Sequence, residues 1–479
     1  MSIGSKFALA PRRVIIEGQS FVDATTKANV VLNGPNIVVK GPPHLPEVAG
    51  DAICVDNTEG DCAADGSCTS CTTFNQFDVD HIKEMGWNTI RLGITWAGAQ
   101  TEAGDALNAD FLRRLHAILD MTDASGLNVF LNNHGDMVGS ANCGNGLPMW
   151  ISQAASPKKI GKQLTTGLPY SLVMDVKDVG NYDHCGSNAD MWAAHSGDPN
   201  YNLLNECCVA MNAGSNQPNL AFSELAQDTM NYIQKKGAGR DAFVKYMRLI
   251  AEAVADHPSV FALEPMNEPM SIKRGDMFDT WRAITESVNA VIPDLAVAVA
   301  DVGEGGIIPS WLTKIDNVDI SHDDIKWMQA SKTTFYAWHW YGNPSSTADT
   351  IHNVKAIMKD WDVPSLLTEF MSCDIWHAVE DAGIGYSYWH YSAYCNTGAN
   401  FGNKKVPDET FGACILGWGG GNPSKTCPRT ALRGAEGDGL SEREKSFEKE
   451  KAIFPSYSEI VDIWSQHGKE RSAELLSLA

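Results

Sequence analysis

The sequence predicts an α/β protein folded as a (β/α)8 TIM barrel with long loops. Three observations predict it. Short apolar segments alternate with amphipathic helical ones along the chain. The apolar segments are nonpolar at almost every position, as strands covered on both faces of a parallel sheet must be. They number eight if one early strand opens the series, the count that closes a barrel. A doubly wound open sheet is the rival, but no G-x-G-x-x-G follows the first strand.

In chain order, residues 14–40 hold two strand-like pieces, RVIIEG and NVVLNGPNIVVKG, broken by Asn-Gly turn signals. A Cys-rich loop, 51–72, follows. A helix over 76–86 ends on Gly86, a residue type suited to a C-cap, and the strand NTIRLGI runs 88–94. A helix over 108–125 stops at Gly126 before a strand at 128–134. A long excursion, 138–222, carries Cys, Gly, Asn and Pro. A helix at 238–256 leads to a strand at 259–266, and one at 276–291 to a strand at 295–301. The strand TTFYAWHWY occupies 333–341. Helix 348–360 precedes strand 365–370, and helix 375–382 precedes strand 385–391. A Gly- and Cys-rich excursion, 392–440, comes next. The charged run SEREKSFEKEKA, read as a solvated helix, and an amphipathic helix at 456–466 close the chain. The expectation is one catalytic domain over 1–479, with excursions at 51–72, 138–222 and 392–440.

With 479 residues, 43% of them hydrophobic, the chain can bury a large core. Its net charge of -22 argues against a nucleic-acid or anionic-membrane partner, since both need a basic face. No apolar run reaches the ~18–20 residues of a membrane span. The twelve cysteines are Cys54, Cys62, Cys68, Cys71, Cys143, Cys185, Cys207, Cys208, Cys373, Cys395, Cys414 and Cys427. An even number in Gly/Asn/Asp/Ser-rich stretches reads as disulfide-tied surface loops of a secreted protein. The start, MSIGSKFALAPRR, shows no apolar h-region of a signal peptide. Cys68 and Cys71 form a C-x2-C pair without a second pair at finger spacing, so no structural zinc is expected.

The active site of a barrel lies at the C-terminal ends of its strands. Polar residues that end apolar runs are therefore the candidates. Strand 259–266 ends in Asn267-Glu268-Pro269, and the strand from 365 carries Glu369. Strand 88–94 holds Arg91. Strand 128–134 ends in Asn132, Asn133 and His134, with Asp136 beyond. Strand 333–341 ends in His339-Trp340-Tyr341, and strand 385–391 in Tyr388-Trp389-His390. Two glutamates on different strand ends suit glycoside hydrolysis, where one carboxyl protonates the leaving oxygen and the other attacks the anomeric carbon. A buried Arg91 beside the nucleophile would keep it ionised. His134-Gly-Asp136 lacks the His-x-His spacing of barrel metallohydrolases, so neither a metal nor any other cofactor is expected.

These motifs, IRLGITW, NNH, EPMNEP, HWY, LLTEF and YSYW, resemble glycoside hydrolase family 5 in order and character across residues 76–391. The resemblance implies a retaining β-glycosidase on a (β/α)8 barrel. It implies Glu268 as acid/base and Glu369 as nucleophile. Asn267 would bind the sugar 2-hydroxyl, and Tyr341 would bond the nucleophile. Arg91 and His339 would tune the carboxylates, and Trp389 would lie under the sugar at subsite -1. His134 joins Arg91, Asn267, His339, Tyr341 and Trp389 as substrate-binding candidates. The stretch IRLGITWAGAQTEAG followed by NNHGDMVGSANCGNGLPMW looks most like endoglycoceramidase-type members, and β-glucan-cleaving relatives are equally open.

The expected function is hydrolysis of a β-glucosidic bond in a neutral glucan, glucoside or glycolipid, by a secreted monomer whose partner is that carbohydrate. A catalytically silent carbohydrate-binding barrel is the alternative. The two carboxyl groups should stand roughly 5–5.5 Å apart, the retaining distance. Glu268 must hold its proton beside an ionised Glu369, which puts the optimum at roughly pH 5–6.

Overall fold

The structure, a computed structural model, describes residues 11–39, 44–46, 48, 74–135, 138–142, 146–160, 165–167, 221–269, 274–300, 321–340, 347–370, 373–389 and 391. The N-terminal hairpin pairs β1 (Val14–Glu17) with β2 (Ser20–Asp23) in antiparallel register. Then come β3 (Asn33–Ile37), α1 (Gln76–Glu84), β4 (Thr89–Ile94), α2 (Trp96–Ala99), α3 (Ala109–Ser125) and β5 (Asn128–Asn133). α4 (Met149–Ala155), α5 (Glu224–Gln234) and α6 (Ala238–Ala253) lead to β6 (Val260–Glu264), α7 (Arg274–Asn289) and β7 (Ala296–Ala300). The described chain continues with α8 (His322–Ser331), β8 (Thr334–Trp340), α9 (Thr347–Trp361), β9 (Ser365–Phe370), α10 (Cys373–Ala382) and β10 (Gly385–Tyr388).

Strands β3 to β10 close a parallel barrel in the order β10-β3-β4-β5-β6-β7-β8-β9. This is the (β/α)8 fold the sequence predicts. Local chemistry sets the element ends. Asn108 caps α3, its side chain accepting from the backbone of Asp110 and Phe111, and Gly126 ends the helix at φ 76, a left-handed conformation that suits glycine. Along each strand, alternate side chains face the helices and the barrel axis. Ile90, Leu92 and Ile94 of β4 and Val129 and Leu131 of β5 join the large cluster beneath the helices. Phe130, Phe261, Ala296, Ala298, Phe335 and Ala337 form the inner one.

The hairpin plugs the bottom of the barrel. Phe21 meets Phe261 edge-on at 5.8 Å and Phe335 at 5.3 Å. Large rings from β5, β6 and β8 interdigitate with alanines from β7, which fills the interior without a pore.

The Asn33-Gly34 pair, expected as a turn, lies inside β3. A Cβ on Gly34 would sit 1.6 Å from the Thr89 carbonyl oxygen, so this glycine serves the close approach of β3 to β4.

Two register shifts matter for function. Between β5 and β6, Val129 pairs with Val260 but Phe130 with Ala262; between β8 and β9, Trp338 pairs with Leu367 but His339 with Glu369. Each shift skips one residue, Phe261 or Thr368, and reverses the alternation beyond it. Without them Glu264 and Glu369 would face the helices; with them both face the axis.

Part of the long excursion is helical, as α4 shows. Helices α5 and α8, which the composition of their surroundings obscures, begin at Ser223 and Ser321. Ser321 and Asp324 form a reciprocal capping box. Among the described residues, no helix is long and apolar enough to cross a membrane.

Candidate active site

The strand ends converge at the top of the barrel around Arg91. Its side chain is fully buried in the middle of β4. Nη1 donates to Glu369 Oε1 at 2.7 Å and to Asn36 Oδ1 of β3 at 2.7 Å. Nη2 donates to Asn267 Oδ1 at 2.8 Å, and Nε to Glu264 Oε2 at 2.8 Å. Asn36 is fixed in turn by donating to the carbonyls of Thr368, Ser387 and Tyr388. One guanidinium thus ties together β3, β4, β9 and the end of β6.

Glu268 stands four residues beyond the end of β6. The connecting turn is held by Asn133, whose Nδ2 donates to the Pro265 carbonyl at 2.8 Å and whose carbonyl accepts from the Asn267 amide at 3.1 Å. Glu268 has φ 39, in the left-handed region, and proline follows it. Such a conformation costs on the order of 1–3 kcal/mol and persists only where its surroundings enforce it. Here it brings the carboxylate over the mouth, toward β8.

His339 links the two glutamates. Its Nδ1 lies 2.9 Å from Glu268 Oε1 and 3.6 Å from Glu369 Oε2. One oxygen of each carboxylate and one ring nitrogen of His339 lie within 4.8 Å of one another. The glutamates differ in access: the Glu268 side chain is 20% exposed and that of Glu369 only 5%. Glu268 is therefore open to whatever enters the mouth, and Glu369 is sheltered below it.

The electrostatics separate them further. Burial would raise the Glu369 pKa, but the charges of His339, Arg91 and His134 and the Arg91 hydrogen bond reverse this, holding it at about 2. Burial would lower the His339 pKa; the charge of Glu369 and the hydrogen bond and charge of Glu268 raise it on balance, against Arg91. For Arg91 itself, burial is outweighed by Glu264 and Glu369, so it stays charged. The floor of the site therefore presents an ionised Glu369 clamped between cations.

His134 is buried after β5. Its Nδ1 contacts Asn132 Oδ1 at 2.9 Å and lies 4.0 Å from Glu369 Oε1, and its ring stacks on Trp389 at 5.4 Å and 17°. Val138, Leu147, Met230 and Met266 form an apolar wall beside Glu268. By distance, Glu268, His339 and Glu369 are the described set that could hold a metal ion. Arg91 already occupies Glu369 Oε1, and its positive charge opposes a second cation there.

Arg91, His134, Asn267, Glu268, His339, Glu369 and Trp389 thus come together at one mouth. Tyr341, Asp136 and His390 lie outside the described residues, as do the side chains of all twelve cysteines and the bulk of the excursions. Trp96, just beyond β4, belongs to the core, stacked on Tyr246 at 4.9 Å. Two inner residues were missed from the sequence: Asn36 and Glu264. Glu264 carried the same signal as the others, an acid ending the apolar run VFALE.

Residues 57–171 match the family model for cellulase, glycosyl hydrolase family 5. Endoglycoceramidase I of Rhodococcus hoagii (strain 103S) is 24% identical over 414 residues, covering 79% of this chain and 67% of that protein. An endoglycoceramidase of Cyanea nozakii is 25% identical over 270 residues, 55% of this chain and 42% of that protein. Among solved structures, endo-glycoceramidase II from Rhodococcus sp., with a cellobiose-like imidazole, superposes with a TM-score of 0.50 at 19% identity. It covers 77% of this chain and 75% of its own, and the likeness is one of fold.

Proposed function

We propose that this chain, a glycoside hydrolase carrying a glycosyl hydrolase family 5 domain, cleaves β-glucosidic bonds in a neutral glucan, glucoside or glycolipid by double displacement with retention. One observation carries the reading: a carboxylate oxygen of Glu268 and one of Glu369 lie within 4.8 Å across the barrel mouth. Retaining enzymes hold the two carboxyl groups at about 5–5.5 Å, whereas inverting ones leave about 6.5–9.5 Å for a water.

In the first step a lone pair of Glu369 attacks the anomeric carbon. The bond to the leaving oxygen breaks, and Glu268 gives that oxygen its proton. In the second step Glu268, now ionised, takes a proton from water, and the hydroxide displaces Glu369 from the sugar. Arg91 keeps Glu369 ionised at the start and receives it back as a carboxylate at the end. The Asn267 Nδ2 is buried and has no hydrogen-bond partner among the described residues, which suits it to hold the sugar 2-hydroxyl. Trp389, stacked on His134, would lie beneath that sugar.

Two observations favour a glycolipid among the substrates. The relatives that match most of this chain's barrel are named endoglycoceramidases, and the wall beside Glu268 is apolar. The rest of the proposal is a single secreted domain with disulfide-tied loops, which mass mapping of the twelve cysteines tests directly. For the activity, the protein is incubated with cellobiose, laminarin, cellulose, mannan and a glycosphingolipid, and products are resolved by thin-layer chromatography. Release of intact oligosaccharide from the glycosphingolipid alone establishes the lipid reading. Cleavage of the glucans alone assigns the enzyme to β-glucan hydrolysis, and no cleavage of any of them refutes the proposal.

A further inference from the structure

We propose that Glu264 is a positioning residue that sets how hard Arg91 pulls on the nucleophile. This rests on the double-displacement reading above. Glu264 is the last residue of β6, fully buried, and touches neither member of the reacting pair. Three donors converge on one of its oxygens: Arg91 Nε, Arg91 Nη2 and Asn132 Nδ2 each lie 2.8 Å from Oε2. Its other oxygen, Oε1, is buried without a hydrogen-bond partner among the described residues.

That asymmetry is informative. A carboxylate placed only to neutralise an arginine would use both oxygens against its fork. Here a single atom anchors two branches that both end on the nucleophile. One runs through Arg91 to Glu369 Oε1. The other runs through Asn132 to His134, whose Nδ1 is 4.0 Å from the same Oε1. The register shift before Ala262 exists at the point needed to aim Glu264 inward, a cost to regular pairing that a structural acid on the outer face would not require.

The consequence is electrostatic. The charged and titratable groups around Glu264 are Arg91 on β4, His134 after β5, Glu268 after β6, His339 on β8 and Glu369 on β9. With Glu264 ionised, Arg91 divides its charge between two carboxylates. With Glu264 neutral, the whole charge falls on Glu369. The nucleophile then becomes a poorer electron donor, and the pocket gains positive charge where an oxocarbenium-like centre must form. Two carboxylates on one guanidinium are no more than about 8 Å apart, and at an effective dielectric near 20 their coupling is worth roughly one to two pH units.

The test uses the full chain with dinitrophenyl β-cellobioside. Glu264→Gln keeps the size and the hydrogen-bonding reach of the side chain. It should lower kcat by about 10- to 100-fold with KM nearly unchanged, and move the alkaline limb of the pH profile toward acid, since the cluster loses a negative charge. The double variant Glu264→Gln with Asn132→Asp moves the charge one residue across the sheet and should recover much of the rate and shift the profile back. It also serves as the test if the single variant does not fold. A rate loss with an unmoved pH profile, or no recovery in the folded double variant, overturns the inference and leaves Glu264 a packing residue. Glu369→Ala with added azide runs alongside. Rescue there upholds double displacement whatever Glu264 does; failure of rescue removes the mechanism and this inference together.

Discussion

Replacing Glu369 by glutamine should change how stability depends on pH, by an amount the site predicts. In the folded protein the Glu369 carboxyl is held at about 2, against an ordinary 4.5, by His339, Arg91 and His134 acting against burial. A depressed carboxylate contributes stability that is present above the unfolded value and lost as pH falls toward the folded one. The contribution is therefore complete above about pH 5 and disappears between 4.5 and 2. At about 1.4 kcal/mol per pH unit it amounts to roughly 3 kcal/mol, of which about 2 is gone by pH 3. His339, raised in the fold, behaves with the opposite sign: its share is present below its unfolded value near 6.5 and fades as pH rises through the folded one. Between about pH 5 and 6.5 both charges are in place. Urea unfolding of wild type and Glu369→Gln at pH 6, 5, 4 and 3 isolates the Glu369 part, because the variant lacks that titration. The stability difference, wild type minus variant, should fall by about 2 kcal/mol from pH 6 to pH 3, whatever its absolute value. Parallel curves, with a difference that does not change, would show that Glu369 is not held ionised by the cations around it.

Removing the acid, Glu268→Ala, should cost several orders of magnitude on substrates with poor leaving groups and far less on dinitrophenyl glycosides, which need no proton; equal loss on both would deny Glu268 that role. Proton NMR of the first product formed should show the β-anomer, as the short separation of the carboxylates requires, and an α-anomer would mean inversion. Phe21→Ala should open a cavity at the barrel bottom and lower stability by about 3–5 kcal/mol, read by denaturant titration, while KM stays at the wild-type value. Dialysis against EDTA should leave the rate unchanged, because Arg91 already serves Glu369; loss of activity restored by a divalent ion would transfer the chemistry to a metal.

What could be read from the sequence follows from where information is local. Strands β4, β5, β8 and β9 were visible because burial on both faces leaves runs such as NTIRLGI and SLLTEF with little polar content. The polar exceptions in those runs were then conspicuous, which is why Arg91, His339 and Glu369 could be named. Helix α3 was bounded correctly at its end because Gly126 acts within its own turn. The Asn33-Gly34 pair misled because a local turn signal and a tertiary close approach demand the same residue, and only the position of β4 distinguishes them. The skipped residues Phe261 and Thr368 left no trace in composition, since a register shift is a relation between two strands. Glu264 was overlooked because the apolar run was read on to residue 266, past the acid that ends β6. Helices α5 and α8 were missed beside long Gly- and Asn-rich stretches, although Ser321 and Asp324 had the spacing of a capping box.

The plug at the barrel bottom has a consequence for the order in which the chain can be made. Arg12, just before the hairpin, places its guanidinium on the carbonyls of Val254, Ala255, His257 and Val260, and the Arg13 amide donates to the Pro258 carbonyl. Phe21 waits for Phe261 and then for Phe335. At about 5–20 residues per second, a ribosome delivers the Arg12 partners roughly 10–50 s after the hairpin emerges. Throughout that interval the hairpin segment of the nascent chain carries a bare aromatic side chain and a cation without its carbonyl cradle. A message broken before the codon for Phe261 would release a polypeptide whose hairpin has neither aromatic partner. Such a fragment is a substrate for chaperones and proteases, so the hairpin is synthesised long before the contacts that protect it.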